Sequence, residues 1–88
     1  MKIETKKPIQ NRLRRIEGQI RGLQKMVEEN TYCIDVITQT SAIKSALSSV
    51  EDLLLKNHLD TCASDQMKSG NVTKAKQEIL AVYRLKRK

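Results

Sequence analysis

At 88 residues the chain has material for one small domain, 1–88, of the size that often depends on association, metals or disulfides. Two Tyr, no Phe and no Trp exclude an aromatic-anchored core, and one Pro with three Gly are too few breakers for an all-β fold. A net charge of +7 points to a polyanionic partner, either nucleic acid or an anionic membrane surface.

The charge is concentrated at the ends. Residues 1–25 carry a net of +6, residues 84–88 a net of +4, and the stretch between them a net of −3. No apolar run approaches the ~20 residues of a membrane span, and no signal-peptide core follows the N-terminus. The expectation is a cytoplasmic protein that does not engage membranes. Its thiols would stay reduced, so two Cys read as ligands, redox sensors or core residues before they read as a disulfide.

The first predicted helix runs from Pro8 to Glu29, with Pro8 in the first turn, where a missing N–H costs nothing. Ile9, Leu13, Ile16, Ile20, Leu23 and Val27 step by 4, 3, 4, 3 and 4, which is one helical stripe. Arg12, Arg14, Arg15 and Arg21 fall off it and face outward. Asn30 is the expected stop and Thr31 the expected cap of the next helix.

The second helix is predicted from Thr31 to Lys68. Val36, Thr40, Ile43, Leu47, Val50 and Leu54 repeat the same steps, and the stripe extends forward to His58 and Cys62 and back to Cys33. The three soft-metal side chains are therefore expected on or beside a buried seam. Ser69-Gly70-Asn71 reads as a turn. A third helix follows from Val72 to Leu85, with Val72, Ala75, Ile79, Val82 and Tyr83 on one side.

His58 and Cys62 are four apart, so on a helix both point the same way and form half of a metal site. Cys33 lies 25 residues before His58, about 37 Å along one continuous helix. If the three share a metal, Cys33 must come from a second, antiparallel copy, with two such sites per dimer. Two thiolates and an imidazole suit Cu(I), or Zn(II) with a fourth ligand. Against this stands the plain possibility that both Cys are small buried residues and His58 a surface residue.

The chain resembles the copper-sensing repressor family, whose relatives include nickel/cobalt, formaldehyde and persulfide sensors. The likeness covers nearly the whole length. It runs through Asn11-Arg12-Leu13-Arg14-Arg15-Ile16-Glu17-Gly18-Gln19, Tyr32-Cys33-Ile34-Asp35-Val36, Gln39, Ser41-Ala42 and Asn57-His58-Leu59-Asp60-Thr61-Cys62. The resemblance implies an all-α, three-helix protomer forming an antiparallel dimer and a tetramer of two dimers. It implies Cu(I) held by Cys33, His58 and Cys62, with Tyr32 and Glu78 hydrogen-bonding around the liganding His. Nickel/cobalt relatives have His for the last Cys, formaldehyde relatives use an N-terminal Pro, and persulfide relatives lose the His. Cys62, Lys2 and His58 put this chain on the copper branch.

The same resemblance implies operator double-stranded DNA as partner, bound without a helix-turn-helix in the apo form and released by Cu(I). Arg12, Arg14 and Arg15 carry the DNA contact, followed by Lys6, Lys7 and Lys44. Some relatives have an Arg where this chain has Ser49, so its DNA face is expected to lean on the first helix. Taken on the residues alone, Glu78 would be a solvated charge paired with Lys74, and Tyr32 a half-exposed residue at a helix start. Two rivals remain at this point: a persulfide-sensing repressor, and a basic helical DNA-binding scaffold with no effector. An enzyme is not expected, because no Gly-rich phosphate loop is present and the His and thiols are accounted for.

Overall fold

The computed structural model describes Met1 and residues 3–87, the side chain of Ile3 excepted. Lys2 and Lys88, invoked above for the copper branch and the C-terminal charge, lie outside the described residues. The described chain is helical: α1 (Ile3–Glu28), α2 (Cys33–His58), a π-helical turn (Leu59–Ala63), α3 (Ser64–Lys68) and α4 (Val72–Arg87). It divides into two compact units, Met1–Leu55 and Lys56–Lys88.

In the first unit α1 begins five residues earlier than expected, and Pro8 lies inside it. The missing N–H of Pro8 removes only the bond to the Glu4 carbonyl, at the very start of the helix, so the extra turn survives. The helix ends as Asn30 predicted. Asn30 takes φ 57, the Thr31 N–H bonds the Met26 carbonyl at 2.9 Å, and the Asn30 N–H bonds Val27 at 3.1 Å. This double closure satisfies carbonyls that a helix end otherwise leaves bare. Thr31 is thereby used up in closing α1 and does not cap α2. Tyr32 takes that position, its carbonyl accepting from the N–H groups of Asp35 and Val36 at 3.0 and 3.2 Å.

Ile9, Ile16, Ile43 and Val50 are buried, with Leu23, Ala46 and Leu53 packed against them. Burying a side chain of this kind stabilises by about 1.5–3 kcal/mol. Each expected stripe is split. In α1, Ile9, Ile16 and Leu23 face the core, while Leu13, Ile20 and Val27 are exposed. In α2, Ile43 and Val50 are buried and Leu47 and Leu54 are exposed, with Ile34 and Ile37 also open. Members seven apart share a fate because seven residues bring a helix almost back to its bearing.

In the second unit the helical run extends to Lys68, as expected, but the π turn interrupts it. Within that turn the Thr61 hydroxyl donates to the Asn57 carbonyl at 2.8 Å, a back-bond to residue i−4 of the kind that bends helices. The buried apolar residues are small, Ala63 and Ala75, which lets helices approach closely. Gly70, at φ 84, closes α3: the Asn71 N–H bonds the Gln66 carbonyl at 2.7 Å and the Gly70 N–H bonds Met67 at 3.2 Å. The Asn71 carbonyl then accepts from Ala75 at 3.3 Å and starts α4. Of the apolar side expected on α4, Ala75 is buried, Ile79 and Val82 half-buried, and Val72 and Tyr83 exposed.

Candidate metal site and basic face

Cys33 opens α2 as a free, exposed thiol, and Tyr32 beside it is 71% exposed. Both belong to the first unit; His58, Cys62 and Glu78 belong to the second. The expected buried seam is corrected here, since both thiols are exposed and His58 is half-buried. The cause is the split stripe: only alternate apolar members are covered within one chain.

In the second unit His58 ends α2 and Cys62 lies in the π turn that follows. The two are thus not at plain α spacing. Four residues slightly exceed one α turn but fall short of one π turn, so the π turn moves Cys62 to the other side of the His58 bearing. Cys62 Sγ lies 3.6 Å from Thr61 Oγ1. That hydroxyl has one proton, committed to the Asn57 carbonyl, so in this pair the thiol is the group left to donate.

Glu78 reaches from α4 to the same imidazole. His58 Nε2 stands 3.0 Å from Glu78 Oε2, with the two side chains 28% and 37% exposed. The carboxylate lies off the line of the ring N–H, so Nε2 has no aligned hydrogen-bond acceptor. The contact is a close charge–imidazole approach whose alignment is incomplete. It occupies Nε2 and leaves Nδ1 as the nitrogen that can ligate. The alternative partner weighed for Glu78, Lys74, forms no ion pair with it among the described residues. Glu78 also accepts from Gln66 Nε2 at 3.4 Å.

A liganding His needs a partner on its second nitrogen, and Glu78 stands 3.0 Å from His58 Nε2, close enough to become one once aligned. The donor chemistry of two free thiols and an imidazole with an open Nδ1 fits a soft, low-coordination ion. Among the described residues of one chain, no group of three or more His, Cys, Asp or Glu side chains is arranged to hold a metal.

The basic residues occupy α1. Arg12, Arg14 and Arg15 are exposed, as are Lys6, Lys7 and Lys44. Among the described residues no carboxylate lies within ion-pair distance of those three Arg, whereas Arg21 pairs with Glu17 at 3.3 Å and Lys25 with Glu29 at 3.9 Å. Arg12 and Arg15 border an open cavity of about 530 Å³, shared with Asn11, Gln19 and, from α2, Ser49. The Ser49 hydroxyl turns back and donates to the Ser45 carbonyl at 3.3 Å.

Residues 5–85 match the family described as metal-sensitive transcriptional repressors. The chain belongs to this family. It is 46% identical over 79 residues to the copper-sensing transcriptional repressor CsoR of Bacillus subtilis (strain 168), covering 90% of this chain and 78% of that protein. It is 54% identical over 59 residues to the copper-sensing transcriptional repressor RicR of Mycobacterium tuberculosis H37Rv, covering 67% of this chain and 62% of that one. Its structure superposes on the copper-sensing repressor CsoR with Cu(I) from Geobacillus thermodenitrificans NG80-2 with a TM-score of 0.89 and 41% identity, covering 100% and 92% of the two chains. The nickel-responsive regulator InrS follows at a TM-score of 0.74 and 36% identity, covering 89% and 88%. The all-helical reading and the family resemblance are both borne out.

Sequence reasoning missed two features of the site: the π turn and Gln66. A signal for the first was present in Thr61, whose hydroxyl competes for helix carbonyls. Gln66 carried none, because eight residues from His58 is not a spacing at which a regular helix aligns side chains.

Proposed function

We propose that this protein is a copper-sensing transcriptional repressor that holds Cu(I) between Cys33 of one protomer and His58 and Cys62 of its partner, and leaves operator DNA when it does. The observation that supports it most is the seating of His58: Glu78 stands against Nε2, which leaves Nδ1 for a ligand, and Cys62 lies in the turn that follows His58 in the chain. The ion, when bound, supplies a soft Lewis-acid link among thiolates and imidazole. Glu78 supplies the charge that steadies the ring, and α4 carries that charge.

The dimer follows from the exposed half-stripes. Leu13, Ile20 and Val27 on α1, with Leu47 and Leu54 on α2, keep heptad spacing and lack cover within one chain. A second copy offers the complementary surface, and pairs of dimers extend it to a tetramer. Arg12, Arg14 and Arg15, free of carboxylates, bind operator phosphates, with Lys6, Lys7 and Lys44 around them. The protein acts in the cytoplasm and is a regulator, not an enzyme. No helix among the described residues is long and apolar enough to cross a membrane. The persulfide reading leaves the His58–Glu78 contact without a role, and the scaffold reading leaves both thiols without one.

Anaerobic titration of operator-bound protein tests this reading. Cu(I) should release the DNA at one ion per protomer, with X-ray absorption reporting two sulfur neighbours and one nitrogen. Release by polysulfide but not by Cu(I), or Cu(I) binding that survives loss of both thiols, would sink it.

A further inference from the structure

Gln66 on α3 lies half-buried against the His58–Glu78 pair and has no part in the reading above. Its Nε2 donates to Glu78 Oε2 at 3.4 Å, the same oxygen that stands 3.0 Å from His58 Nε2. Its own Oε1 is buried and has no hydrogen-bond partner. A buried acceptor left unpaired costs stability, so this orientation of the amide needs its donor end to offset that cost, and the bond to Glu78 is the one it makes. The reverse orientation would set the amide oxygen against the carboxylate.

The π turn explains how Gln66 comes to be there. In an unbroken α-helix the residue seven beyond His58, Asp65, would share its face, and Gln66 would lie about 80° round the axis. A π turn takes one extra residue into the helix and sets back everything after it by about 100°. That moves Asp65 away, and it is exposed, and brings Gln66 onto the His58 side. The exchange matters electrostatically. A carboxylate at this place would repel Glu78, whereas an amide N–H attracts it.

We propose that Gln66 is a positioning residue: it pins the Glu78 carboxylate beside Nε2 of His58 and so decides which ring nitrogen is presented to a metal. The inference rests on the reading of His58 as a ligand, but its first test does not. His58 is the chain's one His, so its ring nitrogens give a single set of NMR signals. In apo wild-type protein the Nε2–H tautomer should dominate. Gln66→Met and Gln66→Leu, both apolar and comparable in size, should each yield a mixture of tautomers with unchanged helical circular dichroism. Cu(I) affinity should fall about threefold to tenfold, at or below the usual effect of losing a ligand's outer partner. In a Glu78→Gln background, Gln66→Met should alter the ring signals no further, because the amide acts through the carboxylate. Wild-type tautomer populations in both single variants, or an equal change with and without Glu78, would overturn the proposal. Failure of the copper reading would look different: wild-type ring nitrogens would not respond to Cu(I), while the apo tautomer measurement would still decide the role of Gln66.

Discussion

An imidazole offers two nitrogens, and its neighbours decide which one works. Glu78 takes Nε2 of His58 from one side at 3.0 Å, off the N–H line. That misalignment leaves the contact room to tighten: the ligation at Nδ1 proposed above would make the ring N–H a stronger donor, and Glu78 rides on α4. Tyr32, 71% exposed at the cap of α2, has a phenol with no partner among the described residues of its own chain. We therefore expect Tyr32→Phe and Glu78→Gln to keep Cu(I) binding, weakened about 10–100-fold for Glu78→Gln, but to blunt its release of operator. Fluorescence anisotropy of labelled operator during Cu(I) titration measures this directly. Wild-type release in both variants would show that neither side chain carries metal occupancy to the DNA-binding surface, and would leave the proposed copper site standing.

Among the elements, two glycines with opposite circumstances make a sharp comparison. Gly70 closes α3 at φ 84, a conformation that a Cβ disfavours even though nothing lies within 4 Å of the place it would occupy. Gly70→Ala should therefore cost about 1–2 kcal/mol from the backbone alone. Gly22 sits inside α1, and the place its Cβ would take is likewise empty to 4 Å. Gly22→Ala should stabilise by about 0.5–1 kcal/mol, since Gly is the poorer helix former. Thermal unfolding of the two variants reads both signs. A destabilised Gly22→Ala protein would mean that this face of α1 is closely covered in the assembled protein. At the same scale, the split stripes show why helix periodicity overstates burial: it marks every apolar position, and one partner helix covers only half of them.

At the level of the whole molecule the governing fact is that Cys33 belongs to one compact unit and His58 and Cys62 to the other. No single chain gathers three metal-binding side chains among its described residues. If the site forms between copies, damage on different chains is separable. Mixing Cys33→Ala protein with Cys62→Ala protein should, after subunit exchange, give heterodimers with one intact site and one site lacking both thiols. Cu(I) titration of the mixture should then recover tight binding at about half a site per heterodimeric protomer, counting one ion per intact site. Parent homodimers should show none of it. A mixture that binds no better than its parents would show that copies do not complete one another.

The sequence alone determined the helical class, the two chain reversals and the ligand candidates. Each of these is set by near neighbours. Apolar residues at three- and four-residue steps make helices, and Asn30 and Gly70 take the left-handed conformation that ends them. Thiols and imidazole carry their metal preference wherever they are placed. The α1 start and the α2 cap were misjudged by a few residues. Pro8 is tolerated once the helix has begun, and the Thr31 N–H closes α1, leaving Tyr32 to cap α2. What only the tertiary structure decided depends on how distant segments meet. It showed which half of each apolar stripe is covered, that Glu78 turns to His58 instead of Lys74, and that a π turn replaces Asp65 with Gln66 beside that pair. One extra residue in a helical turn rotates every side chain beyond it, and no pattern counted at α spacing can register that rotation.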